Sequence, residues 1–181
     1  MVSTDDQEIA DLAKSIGAEV PFLRSTKNSD DFATTSDVLA EVIQYYKEQG
    51  TDLMNVCCLY PTSPLINDND LKEAHNKFNE GEFDVLMSSV EYSFPIQRAF
   101  HLNGSNEIQL IQPEYIHSRS QDLKSSFHDA GAFYFFRVDP FMQHRTLWQG
   151  RIGAFVMPES KVQDIDCLED WKIAEAKYTK L

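Results

Sequence analysis

The sequence predicts an α/β fold in which helices cover a doubly wound, mostly parallel sheet. Helical periodicity alternates with short apolar runs along the chain. The run Asn55 to Tyr60 is continuously apolar, as in a central parallel strand covered on both faces. It ends in Pro61 to Leu65, a rigid, hydroxyl-bearing loop. Because open α/β sheets bind ligands at the carboxyl ends of their strands, this loop is a candidate binding segment.

Apolar spacing places each element. Helices are predicted over about 5–16, 36–49 and 70–79 and from about 169, and strands over 18–22, 55–60, 85–90, 131–136 and 153–157. Thr4 is the expected cap of the first helix. The pattern changes after Glu91, where two apolar runs flank Asn103-Gly104, a hairpin signal whose loop can exceed two residues. We therefore expect one domain, residues 1–181, with residues 92–127 as a flap or dimerisation excursion.

Composition excludes several classes of partner. The net charge is −13 and the sequence pI is near 4.7, whereas nucleic acids and anionic membranes require a basic surface. No apolar stretch approaches the length of a membrane span, and no export signal is recognisable. Cys57, Cys58 and Cys167 lack metal-ligand spacing, and their odd number suits reduced thiols. We therefore expect a cytoplasmic protein.

An acidic pair near the C-terminus is the candidate metal site. In an extended segment the carboxylates of Asp164 and Asp166 leave the same side of the backbone, while Ile165 points the other way. Such a pair suits Mg²⁺, which proteins hold with one or two carboxylates and substrate phosphates. The alternative is a solvated acidic turn before a helix, with Glu169 and Asp170 favouring the helix N-terminus.

Several ordered segments together resemble one family. They are Val2-Ser3-Thr4-Asp5, Pro61 to Leu65, Gly131-Ala132-Phe133-Tyr134 and Asp164-Ile165-Asp166. Their order is similar to that in the cytidylyltransferases that activate nine-carbon sugar acids, the CMP-sialic acid synthetases and their relatives. Tyr60, Phe94 to Ala99, Arg119 to Leu123 and His128 to Gly131 most resemble the pseudaminic acid branch. The resemblance covers nearly the whole chain and implies a Rossmann-like nucleotidyltransferase sheet.

The resemblance also implies a reaction. The anomeric hydroxyl of a nonulosonic acid attacks the α-phosphate of CTP, and a CMP-sugar and pyrophosphate result, for surface glycan or flagellin glycosylation. Asp164 and Asp166 match the family's Mg²⁺ ligands, and with Arg119 they are the candidate catalytic residues. A homodimer through residues 92–127 is expected, because excursions of this kind pack against a second subunit in the family.

Other residues match the family's substrate contacts. They are Arg24, Thr34 and Thr35 for cytosine and ribose, the loop residues Tyr60, Thr62 and Ser63, and Arg98, Gln121, His128, Asp129, Phe133 and Tyr134 toward the sugar acid and phosphates. Tyr60 replaces the glutamine of the sialic acid enzymes. Simpler roles stay open, because a surface arginine, a hydrogen-bonded histidine or a core aromatic strand explains several of these residues.

One family feature does not occur in the chain. The glycine-, serine-, lysine- and arginine-containing loop that wraps the triphosphate precedes the segment that matches Val2 to Asp5, and it is missing with the first strand. We therefore weigh a pseudaminic acid cytidylyltransferase against an impaired remnant that only binds nucleotide or dimerises. Sialic or legionaminic acid as substrate and a different nucleotide base are the further alternatives.

Overall fold

A computed structural model describes residues Met1 to Lys180. The helices are α1 (Gln7–Ser15), α2 (Thr35–Glu48), α3 (Asp68–Glu80), α4 (Val138–His144) and α5 (Leu168–Tyr178). The strands are β1 (Asn55–Leu59), β2 (Val85–Glu91), β3 (Phe100–Leu102), β4 (Ile108–Leu110), β5 (Phe127–Arg137) and β6 (Ile152–Met157). This mixture confirms the predicted α/β class. Within the described residues, no helix combines the length and the apolar character that a membrane span requires.

The chain divides into two compact units. The first consists of Met1–Cys58, Phe78–Val85 and Phe135–Ile152, and the second of Leu59–Lys77, Leu86–Tyr134 and the described residues from Gly153 onward. Phe78, Phe136 and Phe141 are almost fully buried in the first unit. In the second unit Leu86 and Phe133 are fully buried. Each unit therefore has apolar side chains removed from water, the main favourable term in folding.

The main sheet has the strand order β1-β5-β2-β6 and is mixed. Val138 N donates to Met54 O and Tyr60 N donates to Ala132 O, both at 2.9 Å, so β5 runs antiparallel to β1. Arg137 N donates to Asp84 O, while the amides near Ala132 contact Ser88, so β5 is also antiparallel to β2. β2 and β6 start together, at the hydrogen bond from Asp84 N to Arg151 O. Their ends line one cavity, so these two strands are parallel. Three of the four strands, β1, β2 and β6, therefore run in the same direction, as the prediction of a mostly parallel sheet requires. Strand β5 is the exception, because it runs in the opposite direction between β1 and β2.

Three local predictions were wrong, and one helix was missed. The run from Asn55 was expected to be a central parallel strand covered on both faces, but β1 lies at the edge of the sheet beside the antiparallel β5, and its residues alternate between exposed and partly buried. Residues 18–22 form no strand, because this segment makes only isolated backbone bonds, such as Val2 N to Glu19 O at 2.8 Å. Asp6, not Thr4, caps α1, and its Oδ1 accepts from Glu8 N and Ile9 N. Helix α4 was not predicted, because its seven residues include Pro140 and are too few to show helical periodicity.

A separate two-stranded sheet confirms the hairpin. β3 and β4 pair antiparallel with Phe100 opposite Leu110, His101 opposite Gln109 and Leu102 opposite Ile108. Asn103 Oδ1 accepts from Ser105 N and Glu107 N at 2.9 and 3.0 Å, closing a loop longer than two residues. The Asn-Gly signal therefore located the hairpin correctly.

A buried hydroxyl fixes the middle of β5 against β2. Ser88 is fully buried, and its Oγ accepts from Ala132 N at 3.2 Å and from Phe133 N at 3.0 Å. These two amides follow Gly131, which has a φ of +61°. Ser88 thus satisfies two buried donors beside an irregular backbone position, which buried polar groups require.

Candidate active site

The second unit brings the carboxyl ends of β1, β2 and β6 together with the start of β5. A cavity of about 240 Å³ lies there. Its lining includes Glu91 at the end of β2, His128 and Asp129 in β5, Asp164 after β6 and Lys177 of α5. Four of its lining residues are acidic, namely Glu91, Asp129, Glu159 and Asp164. The edge that the sequence predicted for ligand binding therefore carries a concentration of carboxylates.

Asp129 organises the start of β5. Its Oδ1 accepts from Gly131 N at 2.9 Å, and its Oδ2 accepts from the hydroxyl of Tyr134 at 2.5 Å. Burial, with the hydrogen bond and charge of Asp129, raises the pKa of Tyr134 well above its usual range. The phenol therefore stays protonated and keeps donating to Asp129 at neutral pH.

Asp164 lies beside Gly131. A Cβ built on Gly131 would lie 3.8 Å from Asp164 Oδ1, so the glycine leaves open the space next to this carboxylate. Asp164 and Asp166 are exposed, whereas Ile165 is partly buried, which is the alternation expected of an extended segment. Both carboxylates are thus accessible to a ligand.

The acidic pair fits a cation that a substrate helps to hold. Within residues 1–180, no three or more His, Cys, Asp or Glu side chains form a group that could hold a metal ion by themselves. Mg²⁺ does not need such a group, because it retains waters and uses one or two carboxylates with substrate phosphates. Two exposed carboxylates, one beside an open glycine, meet that requirement.

Asp170 shapes the backbone that carries the acidic pair. Its Oδ2 accepts from Cys167 Sγ, Cys167 N and Asp166 N at 3.1, 3.0 and 3.2 Å. This arrangement is a capping box with Cys167 as the N-cap of α5. The sequence attributed only a favourable helix-end charge to Asp170, whereas its carboxylate directly holds the amide of Asp166.

The loop after β1 is closed by its own hydroxyl. Ser63 Oγ donates to Tyr60 O and lies 3.3 Å from Ala132 O. Leu65 is buried, and Thr62 is partly buried. The Tyr60 ring lies 5.4 Å from that of Tyr134. Tyr60 therefore connects this loop to the Tyr134–Asp129 pair.

Two of the three candidate arginines, Arg98 and Arg119, have partners within residues 118–122. Arg98 donates through Nη2 to Ser118 O and through Nη1 to Ser120 Oγ at 3.2 Å, while its buried Nε has no hydrogen-bond partner. Arg119 forms an exposed ion pair with Asp122 at 2.8 Å. Gln121, in the same turn, is exposed. These contacts fix the 118–122 turn, and neither arginine lines the cavity beside Asp164.

His128 has one ring nitrogen engaged. Its Nδ1 lies 2.8 Å from Asp129 O, and because a carbonyl only accepts, Nδ1 is the donor. The ring packs against Tyr92 with 4.6 Å between centroids. In the neutral imidazole, Nε2 is consequently the nitrogen that can accept a proton.

The remaining candidates have local structural contacts. Phe133 is fully buried, and its ring lies 5.9 Å from that of Phe155, as in a core strand. Arg24, Thr34 and Thr35 belong to the first unit. Arg24 pairs with Asp5 at 2.9 Å, and Thr34 caps α2 in a capping box with Asp37. Thr35 is the first residue of α2.

Comparison with known proteins identifies the family. The cytidylyltransferase family model matches residues 1–149. The chain belongs to the cytidylyltransferase family. It is 38% identical over 178 residues to the pseudaminic acid cytidylyltransferase of Campylobacter jejuni subsp. jejuni serotype O:23/36 (strain 81-176). That match covers 98% of this chain and 77% of the relative. The predicted enzyme class, a nucleotidyltransferase, is confirmed.

Other relatives and one solved structure agree. The cytidylyltransferase is 29% identical over 187 residues to the CMP-N,N'-diacetyllegionaminic acid synthase of Legionella pneumophila subsp. pneumophila, with 97% of this chain and 75% of that protein covered. The structure of CMP:2-keto-3-deoxy-manno-octonic acid synthetase complexed with CTP matches with a TM-score of 0.64 at 15% identity. The match covers 99% of this chain and 80% of the synthetase chain. This similarity confirms the predicted nucleotidyltransferase-like fold.

Sequence reasoning missed several residues of the cavity and its support. Glu91 is the last residue of β2, so the rule that ligands bind at the ends of parallel strands could have found it. Lys161 and Lys177 approach the Asp164 segment through contacts that no local pattern signals. Lys161 bonds Asp70, which is 91 positions away in the chain.

The Asp170 cap of this cytidylyltransferase should depend on pH. Hydrogen bonds from Cys167 Sγ, Asp166 N and Cys167 N hold the pKa of Asp170 below its ordinary value of 3.8. Since the folded-state pKa is lowered, the cap's contribution is complete above pH 3.8 and is lost as pH falls through the lower value.

We expect the amide proton shift of Cys167, followed by NMR, to titrate with a midpoint below 3.8. The Asp170→Asn variant is the control, since its Cys167 amide should show no such step. A midpoint at or above 3.8 would contradict the capping arrangement.

Proposed function

We propose that this cytidylyltransferase activates pseudaminic acid, a nonulosonic acid, with CTP to give the CMP-sugar and pyrophosphate. The supporting observation is the acidic pair at the carboxyl edge of the sheet. It occurs in a chain 38% identical, over 98% of its length, to pseudaminic acid cytidylyltransferases. The choice of sugar rests on these relatives.

Asp164 and Asp166 would hold Mg²⁺ together with the triphosphate of CTP. The bound ion would neutralise phosphate charge that develops as pyrophosphate leaves. Gly131 keeps the space beside Asp164 open, and Asp170 fixes the amide of Asp166. These residues orient the carboxylates before substrate arrives, so less reorganisation is needed during the reaction.

His128 is the proposed acceptor of the substrate proton. The anomeric oxygen forms a bond to the α-phosphorus, the bond from that phosphorus to the leaving pyrophosphate breaks, and the hydroxyl proton goes to His128 Nε2. The support is that Nδ1 already donates to Asp129 O and that His128 lines the cavity with Asp164. Positioned histidines commonly perform this role.

The test is pyrophosphate release by the purified chain with CTP, Mg²⁺ and pseudaminic acid. Parallel reactions contain N-acetylneuraminic acid, a diacetylated legionaminic acid, or UTP in place of CTP. Preferential turnover of pseudaminic acid with CTP supports the proposal. Turnover only of another sugar or nucleotide would redirect it, and CTP binding in calorimetry without turnover would support a nucleotide-binding role alone.

We also propose that the hairpin of β3 and β4 pairs two copies of the chain. Its register places Phe100, Leu102, Ile108 and Leu110 on one face and His101 with Gln109 on the other. Leu102 and Ile108 are 59% and 61% exposed, and Phe100 is 49% exposed. An exposed apolar face of this kind is typical of a protein–protein contact.

Sedimentation tests the dimer. Leu102→Lys with Ile108→Lys should shift the chain from dimer to monomer, because both charges would be buried unpaired in the contact. Gln109→Lys places a charge on the opposite face of the same hairpin and should leave the dimer intact. A monomeric wild-type chain would refute this part of the proposal.

The proposed compartment is the cytoplasm. Cys57, Cys58 and Cys167 are free thiols, which suits a reducing environment.

A further inference from the structure

The segment between β6 and Asp164 forms hydrogen bonds with two helices, α3 and α5. It contains a 3-10 turn over Glu159–Lys161 that follows Pro158. Lys161 Nζ donates to both carboxylate oxygens of Asp70 in α3, at 2.7 and 3.0 Å. The other side of the segment is tied by Lys177 of α5.

Lys177 uses its ammonium group on backbone carbonyls. Nζ donates to Val162 O at 2.5 Å and to Glu159 O at 3.1 Å. Lys177 is partly buried, and it lines the same cavity as Asp164, His128 and Asp129. A hydrogen bond from an ionised donor is roughly twice as strong as a neutral one. Lys177 therefore fixes the backbone two residues before Asp164.

We infer that Lys177 is a positioning residue for the Asp164 carboxylate, an inference that rests on the proposed metal role of Asp164. The metal ligand itself is exposed, so the backbone preceding it determines where its carboxylate lies. Val162 O and Glu159 O lose their cationic donor when Lys177 is replaced, and the segment can then move. Partners outside the ligand set that orient metal ligands typically contribute about 10–100-fold in metal affinity.

The test measures Mn²⁺ binding by the full chain in the presence of CTP, from the electron paramagnetic resonance signal of the free ion relative to the same titration with CTP alone. Lys177→Met should raise the Kd for Mn²⁺ by about 10–100-fold. Lys177→Arg, which keeps a charged donor, should recover most of the affinity. Lys172→Met is the matched control, because Lys172 lies on the same helix, is 70% exposed and, among residues 1–180, forms an ion pair only with Glu169.

Each outcome decides the matter. An unchanged Mn²⁺ affinity in Lys177→Met would overturn the positioning role. If the KM for CTP rises while the Mn²⁺ affinity is unchanged, Lys177 instead contacts the anion directly. Failure of the wild-type chain to bind Mn²⁺ would refute the proposed metal role and the inference with it. Melting temperatures identify any variant that fails to fold, and Lys177→Gln then replaces Lys177→Met in the comparison.

Discussion

Replacing Asp164 and Asp166 together by asparagine should lower Mg²⁺-dependent turnover by about a thousandfold. Asparagine preserves the size of each side chain but removes both negative charges. A metal at a phosphoryl group supplies several kcal/mol of transition-state stabilisation, and a loss of about 4 kcal/mol corresponds to about three powers of ten. Both carboxylates are exposed, so the fold itself should tolerate the change.

Pyrophosphate release and Mn²⁺ binding are the two measurements. Asp68→Asn serves as the control, because Asp68 is 74% exposed and its ion pair in the described part of the chain is with Lys72 on the surface of α3. The control should keep wild-type turnover. Undiminished metal-dependent CTP binding in the double variant would show that these carboxylates are not the metal ligands.

The sequence predicted those elements whose pattern is local and regular. Helix α2 shows an apolar stripe, and its buried residues Leu39, Ala40 and Ile43 lie on that stripe. The six buried residues of β2 form a continuous apolar and small-residue run. Both elements were located within one or two residues, because residue period and terminal glycines specify them without reference to the rest of the chain.

The direction of β5 required information that the sequence pattern does not contain. An aromatic strand buried on both faces shows the same run of residues whether its neighbours are parallel or antiparallel. Residues 18–22 show a different error, in which a strand was predicted but does not form. Their composition favours a strand, but Val20 packs with Ala10 and Ala13 of α1, and the segment forms no ladder. Tertiary packing overrode propensity at this position.

The candidate site also contains residues that a local sequence pattern indicates and residues that only tertiary contacts reveal. Asp164 and Asp166 could be proposed from the sequence, because a two-residue spacing and a family resemblance both point to them. Their supports could not be found, because Asp170, Lys161 and Lys177 act through contacts with backbone amides, a distant carboxylate and backbone carbonyls. The sequence can nominate candidate ligand groups, whereas the residues that contact their backbone emerge only from the fold.

The ion pair of Asp70 and Lys161, which anchors the segment before Asp164, should contribute to the free energy of unfolding. Lys161 Nζ lies 2.7 Å from Asp70 Oδ1, and the side chains are only 23% and 13% exposed. Lys161→Met should lower the free energy of unfolding by about 3 kcal/mol, because it leaves a mostly buried carboxylate without its counterion. Urea unfolding monitored by circular dichroism gives this quantity.

A double-mutant cycle separates the pair from its surroundings. Asp70→Asn with Lys161→Met should be less destabilised than the sum of the two single variants, since the second change removes the charge that the first leaves unpaired. Lys72→Met, which breaks the exposed pair with Asp68 on the same helix, should leave the free energy of unfolding almost unchanged. Strictly additive effects would show that the pair contributes no interaction energy of its own. Non-additive effects together with weaker Mn²⁺ binding in Lys161→Met would show that the same anchor stabilises the fold and positions Asp164.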